Sequence, residues 1–378
     1  MKPIYLDYNA TTPIAKEVAD AMLPYLYDHF GNPSSGHLFG VQAKLAIDLA
    51  RRQVAELIGA QPAEIIFTSG GTEANNHAIR GYCEQHQEKG RHIITSAVEH
   101  PAVLEVCRYL VKKGYALTIL DVDEYGLVNP SDLKAAIRPD TILISIMHAN
   151  NEVGSLQPLK ELTAIAKSSG IAFHTDAAQS TGKIPVNVKD LDVDMLSIAG
   201  HKLYAPKGVG ALYVRSGIEL NKLMYGAGHE NGRRPGTENI LEIVGLGKAC
   251  AIAARDLASN QKHLMTMRDF LHSELVKALG SERIHLNGHP IHRLPNTLSL
   301  GIRGVEAHQL LNQINTQVAI SAGSACHADS LSISGVLQAM QVPDEWARGT
   351  LRISVGRETT REEIKAAVSI ITTAITGK

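Results

Sequence analysis

The sequence predicts an α/β fold: a large domain with a mostly parallel seven-stranded sheet, joined to a smaller α+β domain. Three observations lead there. Strand-like apolar runs alternate with helical patterns over the first two thirds of the chain. The pattern changes after a long polar helical region, roughly Ala249 to Leu279. The length, 378 residues, exceeds what a single core usually supports.

The strands are expected at Ile65–Phe67, His92–Thr95, Leu117–Leu120, Thr141–Met147, Ile171–Phe173 and Met195–Ile198. Between them, Ala74–Glu88, Pro101–Lys113 and Leu159–Ser168 carry helical periodicity. Ala211–Val214 follows the last run after a short connection, so it is expected to pair antiparallel. Beyond the long helix, Thr297–Leu300, Val318–Ile320 and Leu351–Ser354 alternate with two helices. We expect residues 15–255 to form the large domain, and 1–14 with 256–378 the small one.

Composition excludes several classes. The formal net charge is -1 and no basic cluster stands out, which argues against a nucleic-acid partner. No apolar run reaches membrane-spanning length, and no signal peptide is evident, so a cytoplasmic location is expected. The four cysteines are scattered without a CxxC pair, so neither disulfide framework nor zinc knuckle is indicated. His285, His289 and His292 tempt a metal assignment, but prolines and glycines surround them and no acidic ligand is near; no metal is expected. Gly245-Leu-Gly-Lys248 lacks the upstream glycine of a Walker loop, and no GxGxxG opens the chain.

Chemistry gathers at strand ends, where open α/β sheets bind ligands. Thr68-Ser-Gly-Gly-Thr72-Glu73 ends a strand and opens a helix; its glycines and free N–H groups make a phosphate cradle. Asp176 closes the strand before Gln179, where a carboxylate can keep a pyridine nitrogen protonated. Lys202 stands just past a buried strand in Ala199-Gly-His-Lys202. An ammonium there is costly unless the amine is otherwise engaged. Cradle, carboxylate and lysine together are what pyridoxal 5'-phosphate requires, with Lys202 bonded to its aldehyde. His100, at a strand-to-helix turn, suits stacking on the ring and proton transfer.

Ser321-Ala-Gly-Ser-Ala-Cys326-His-Ala-Asp-Ser330 is small, polar and aperiodic, and reads as a mobile loop carrying an exposed thiol nucleophile. Cys83, Cys107 and Cys250 read as buried fillers. Arg352, in an otherwise apolar strand, suits a bidentate grip on a substrate carboxylate.

With these residues in view, the chain resembles the pyridoxal-phosphate-dependent cysteine desulfurases of the class V aminotransferase group. The resemblance runs from Tyr5-Leu-Asp-Tyr-Asn-Ala-Thr-Thr-Pro13 to Arg357. It takes in Gly31-Asn-Pro-Ser-Ser35, Thr68–Glu73, Glu99-His100, His148–Gly154, Thr175–Gln179, Gly200-His-Lys202, Arg234–Asn239, Gly323–Cys326 and Leu351-Arg352. It implies a fold-type I pyridoxal-phosphate enzyme, homodimeric, with sites at the subunit interface. It further implies that Lys202 bonds the cofactor, His100 stacks on its ring, Asp176 pairs with its nitrogen and Gln179 with its phenolic oxygen. Gly71, Thr72 and His201 would hold the phosphate, with Thr237 reaching across from the second subunit. Asn151 and Arg352 would hold the substrate carboxylate, and Cys326 would take sulfur as a persulfide and pass it to an acceptor such as an iron–sulfur scaffold. The substrate implied is L-cysteine, with L-alanine as product. Ala199 departs from the serine of many desulfurases, and Ala-Gly-His-Lys looks more like the selenocysteine lyases, which makes L-selenocysteine the alternative substrate. A simple aminotransferase would not need Cys326, and a non-catalytic docking protein would not need Lys202, Asp176 and Cys326 intact.

Overall fold

The structure, a computed structural model, describes residues 3–322 and 333–377. Its centre is a seven-stranded sheet in the order Ile65–Thr68, Gly210–Val214, Met195–Ala199, Ala172–Asp176, Thr141–Ser145, His92–Ser96, Ala116–Leu120. Gly210–Val214 runs antiparallel to both its neighbours, and the remaining pairings are parallel. Most of these strands are buried along their whole length, because helices cover both faces. Their sequences are accordingly continuous apolar runs, not alternating ones. Phe173, only 1% exposed, packs in the larger of the apolar cores; truncating such a side chain to alanine costs about 3–5 kcal/mol.

Every expected strand forms, with shifted ends: Ile171–Phe173 becomes Ala172–Asp176, and Ile4–Tyr5 and Ile284–Leu286 are strands the sequence reading did not name. Thr141–Ser145 stops before Ile146, although the Ile146 and His148 N–H groups still donate to the His174 and Asp176 carbonyls of the neighbouring strand, at 3.1 and 2.9 Å. The long helix is Ile240–Leu279, 40 residues, and so starts nine residues before Ala249 (249 − 240). Asn239 caps it, its side chain accepting from Glu242 N–H. Its first half, including Ile243, Leu246 and Ile252, packs on the sheet's core; its second half, from Leu264 to Leu279, packs in another core.

That second core belongs to an antiparallel sheet in the order Thr350–Ser354, Thr297–Ile302, Ile284–Leu286, with the helices Ala307–Ile314 and Arg361–Thr376. Thr360 and Glu363 form a reciprocal cap at the start of the last helix. The N-terminal strand Ile4–Tyr5 pairs in parallel with Val318–Ala319, and Leu6 is fully buried in the same core. This threading matters for function. It lays residues 7 to 12 across the carboxyl edge of the large sheet, beside Lys202, Gln179 and Arg352.

Candidate active site

The phosphate cradle forms as a true helix start. Gly71–Gln85 begins directly after Thr68-Ser-Gly70, with Gly70 at φ 152°, a backbone state that favours glycine. The Ser69 N–H is held by Glu73 Oε2 at 2.8 Å, and Glu73 is gripped by Arg234 Nε at 2.8 Å. Burial pushes the Glu73 carboxyl up, but its bonds to Arg234 and Ser69 outweigh this and hold it below its ordinary value. A side chain at Gly71 would stand 3.1 Å from the Ala199 methyl, so the cradle and the end of Met195–Ala199 approach closely. An open groove of about 520 Å³ runs past Thr72, Asn76 and Arg80 to His100 and Tyr109.

Asp176 ends its strand as expected and is buried. Both carboxylate oxygens are fixed: Oδ2 accepts from Asn75 Nδ2 at 2.7 Å, and Oδ1 from Ala178 N–H at 2.9 Å. Below it in the sheet, His174 bonds Ser145 Oγ at 2.8 Å and Ser197 Oγ at 3.0 Å. Burial pushes that imidazole down to about 3, so it is neutral.

His100 caps the helix Pro101–Val111, its Nδ1 accepting from Ala102 N–H at 3.1 Å. The proton of the neutral ring therefore sits on Nε2. Burial lowers its pKa, while the Asp176 carboxylate raises it and the Lys202 amine lowers it. One imidazole thus feels both residues assigned to the cofactor.

Lys202 lies in a single helical turn, Gly200–Lys202, straight after the strand. Its amine donates to the carbonyls of Asn9 and Ala10, the latter at 2.8 Å. His201 bonds Thr11 Oγ1 at 3.2 Å, and burial, then the amines of Lys202, Lys207 and Lys183, push it down to about 4. Gln179 is buried and donates from Nε2 to the Asn9 carbonyl at 3.0 Å. Lys202 and Gln179 thus share one acceptor.

Arg352 is 2% exposed and ion-pairs with Asp7 at 2.7 Å. Its guanidinium also reaches Ser321 Oγ at 3.2 Å and, more distantly, the Asn151 carbonyl at 3.4 Å. Asn9 Nδ2 donates to the same Asn151 carbonyl at 3.1 Å, so Asn151 and Arg352 are together. Thr237 lies exposed in the segment after Arg234. Cys326 lies outside the described residues. Cys83, Cys107 and Cys250 are buried, as expected of fillers. Among the described residues no cluster of His, Cys, Asp or Glu could hold a metal.

Four participants escaped sequence reasoning. Asp7 and Asn9 come from an N-terminal segment without periodicity, and Asn75 from the inward face of a helix. Lys183 follows the left-handed Gly182 in an otherwise unremarked turn. Its amine donates to Gln179 Oε1 at 2.8 Å and to the Gln179 carbonyl at 3.1 Å. The only local signal was a Gly-Lys pair close behind Asp176.

A helix start beside an open groove, a fixed buried carboxylate, an amide and an amine are the kinds of donor that a phosphorylated pyridine aldehyde needs, so pyridoxal phosphate fits the chemistry of these residues. The fold and site define an enzyme of that cofactor class. Residues 4–367 match the class-V aminotransferase family, and the chain belongs to it. It is 49% identical over 371 residues to "Cysteine desulfurase IscS" of Dictyoglomus turgidum (strain DSM 6724 / Z-1310), covering 98% of this chain and 94% of that one. Among solved structures it resembles a "NifS-like protein" with a TM-score of 0.92 at 36% identity, over 100% of both chains. "SspA in complex with cysteine" matches with a TM-score of 0.83 at 38% identity, over 94% of this chain and 99% of that one.

Proposed function

We propose that the chain is a pyridoxal-phosphate-dependent cysteine desulfurase, converting L-cysteine to L-alanine and taking the sulfur on Cys326. The observation that carries this is the joint placement of Asp176, its carboxylate fixed by Asn75 and the Ala178 N–H, and Lys202 near enough to His100 for both charges to act on its imidazole, which caps a helix beside the open groove at Thr72. Relatives named cysteine desulfurase along nearly the whole chain support the substrate. The selenocysteine alternative suggested by Ala199 gains no support from those names.

Bound at this site, the cofactor withdraws electrons from the substrate's Cα and so makes its proton removable. Gly71, Thr72 and His201 would hold its phosphate, with Thr237 of a second subunit. Lys202 would bind its aldehyde and would serve as base at the substrate's Cα. Asp176, already oriented by Asn75, would keep the pyridine nitrogen protonated. His100 would stack on the ring. Arg352 and Asn151 hold the substrate carboxylate. The Cys326 thiolate attacks the substrate sulfur; an S–S bond forms, the Cβ–S bond breaks, and its electron pair stays on Cβ, which takes a proton on the way to alanine.

The sulfur then passes to an acceptor protein, such as an iron–sulfur scaffold or a thiolation protein. We also propose a homodimer. Tyr27, Phe30 and Leu38 are 76%, 71% and 69% exposed, and Leu23, Leu26 and Leu45 add to the apolar surface. Residues 15–255 would act as one unit, and 1–14 with 256–378 as the other. No helix among the described residues is long and apolar enough to cross a membrane, and a cytoplasmic location is the reading that goes with free, buried cysteines.

The test is to supply L-cysteine to the purified protein and its Cys326→Ala variant, and to quantify alanine. Stoichiometric alanine with a persulfide on Cys326 is expected of the parent protein, and loss of cysteine turnover in the variant. Undiminished turnover by Cys326→Ala would remove that residue from the chemistry.

A further inference from the structure

A glutamine can offer either its oxygen or its nitrogen to a ligand, and something must decide which. Gln179 is buried, 5% exposed, so bulk water does not decide. A lysine ammonium has three donors and no acceptor. The Gln179 side chain turns its Oε1 toward the Lys183 amine, which donates to it at 2.8 Å. A second bond from the same amine to the Gln179 carbonyl, at 3.1 Å, clamps the residue at both ends. The nitrogen is then forced to the opposite side, where it donates to the Asn9 carbonyl and has one more hydrogen to give.

The backbone is built to deliver Lys183 here. Gly182 sits at φ +76°, and a side chain there would meet the Ala253 and Leu203 Cβ atoms at 3.2 and 3.4 Å. The turn buries a lysine that is 6% exposed, with its amine on the two Gln179 oxygens. Lys183 also lines a small cavity of about 30 Å³ with Lys202, Asn296 and Arg357. Burying an ammonium this way costs stability, so a return in function is expected.

We infer that Lys183 is a positioning residue that fixes the orientation of the Gln179 amide, so that its N–H, not its oxygen, meets the cofactor's phenolic oxygen. This rests on the functional reading above. Burial, then the charges of Lys202 and Arg352, push Lys183 down to about 7; His201, Arg357, Tyr8 and Tyr204 are the other titratable or charged groups around it.

The test is a pH titration of the visible band of the cofactor-loaded protein, alongside the cofactor's dissociation constant. Lys183→Met keeps the aliphatic stem and removes the donor. The ring oxygen then loses its hydrogen bond and holds its shared proton more tightly. The titration midpoint is expected to rise by roughly half to one pH unit, the equivalent of one net hydrogen bond, with cofactor binding weakened about five-fold. Lys183→Gln, which can still donate to Oε1, is expected to restore most of the midpoint. In a Gln179→Met background, Lys183→Met is expected to move nothing further, because the residue through which it acts is gone.

An unmoved midpoint in Lys183→Met, or an undiminished shift in the Gln179→Met background, overturns the inference. Should Lys183→Met fail to fold, a Lys183→Gln midpoint displaced by as much as a unit overturns it as well. A parent protein with no visible band defeats the functional reading, and this inference falls with it; a parent band that Lys183→Met fails to move defeats the inference alone.

Discussion

Glu99 precedes His100 and is buried against the same edge of the sheet. Its Oε1 accepts from Ser96 Oγ at 2.7 Å and from Met147 N–H at 2.8 Å, and Oε2 has no partner among the described residues. Burial pushes the carboxyl up to about 8; the two hydrogen bonds pull it down and the Asp176 charge raises it further. The folded state thus binds a proton that the unfolded state releases near its ordinary value of 4.5. Its contribution to stability is whole below 4.5 and is lost as pH rises through about 8. Glu99→Gln mimics the protonated acid at every pH. Its melting temperature is expected to stay near the parent's at pH 5 and to exceed it above pH 8; identical pH profiles would contradict the protonated state. A second residue-scale test is Arg352→Lys, which replaces a planar fork by a point charge. KM for cysteine is expected to rise by about 10- to 100-fold, on the order of a lost charge-assisted contact, with a smaller change in kcat.

At this scale the sequence was informative where a functional side chain directly follows an apolar strand. Asp176, Lys202 and the Thr68–Glu73 turn were legible for that reason, and each sits at the carboxyl edge of the sheet. Residues whose roles depend on distant partners were not. Asn75 meets Asp176 across 101 positions, Asn9 meets Gln179 across 170, and Asp7 meets Arg352 across 345. No local pattern encodes such pairings.

The elements around the site are held by specific polar joints as well as packing. Glu230 occupies a left-handed backbone position, φ 51°, and is buried. It accepts from Arg51 at 2.5 and 2.7 Å and from Phe67 N–H at 2.9 Å. This fastens the segment carrying Arg234 and Thr237 to the helix Leu38–Ile58 and the strand Ile65–Thr68. Glu230→Ala leaves a half-buried guanidinium without its carboxylate and is expected to cost about 3–5 kcal/mol by denaturant unfolding. A loss under 1 kcal/mol would show the joint to be incidental. Element types were legible here because the parallel strands read as unbroken apolar runs. The early start of Ile240–Leu279 was not, since Gly245 and Gly247 interrupt its pattern while packing closely on Pro206, Met22 and Ala50.

For the molecule as a whole, Tyr27, Phe30, Leu38 and Leu45 stand exposed on one stretch of the chain, a surface that a second subunit would cover, and the Thr237 assignment requires one. The protein is expected to sediment at twice the mass of one chain, and Leu38→Asp with Phe30→Asp to shift it toward monomer while weakening cofactor retention. A monomeric parent with full activity would contradict a shared site.

The roles given to Asp176, His100, Gln179 and Cys326 depend on which amine carries the cofactor. Borohydride reduction of the loaded protein, followed by peptide mass mapping, tests this directly. The account predicts one stable adduct, on the peptide containing Lys202, and none in Lys202→Ala. An adduct on Lys183 or Lys207, or none at all, would contradict it.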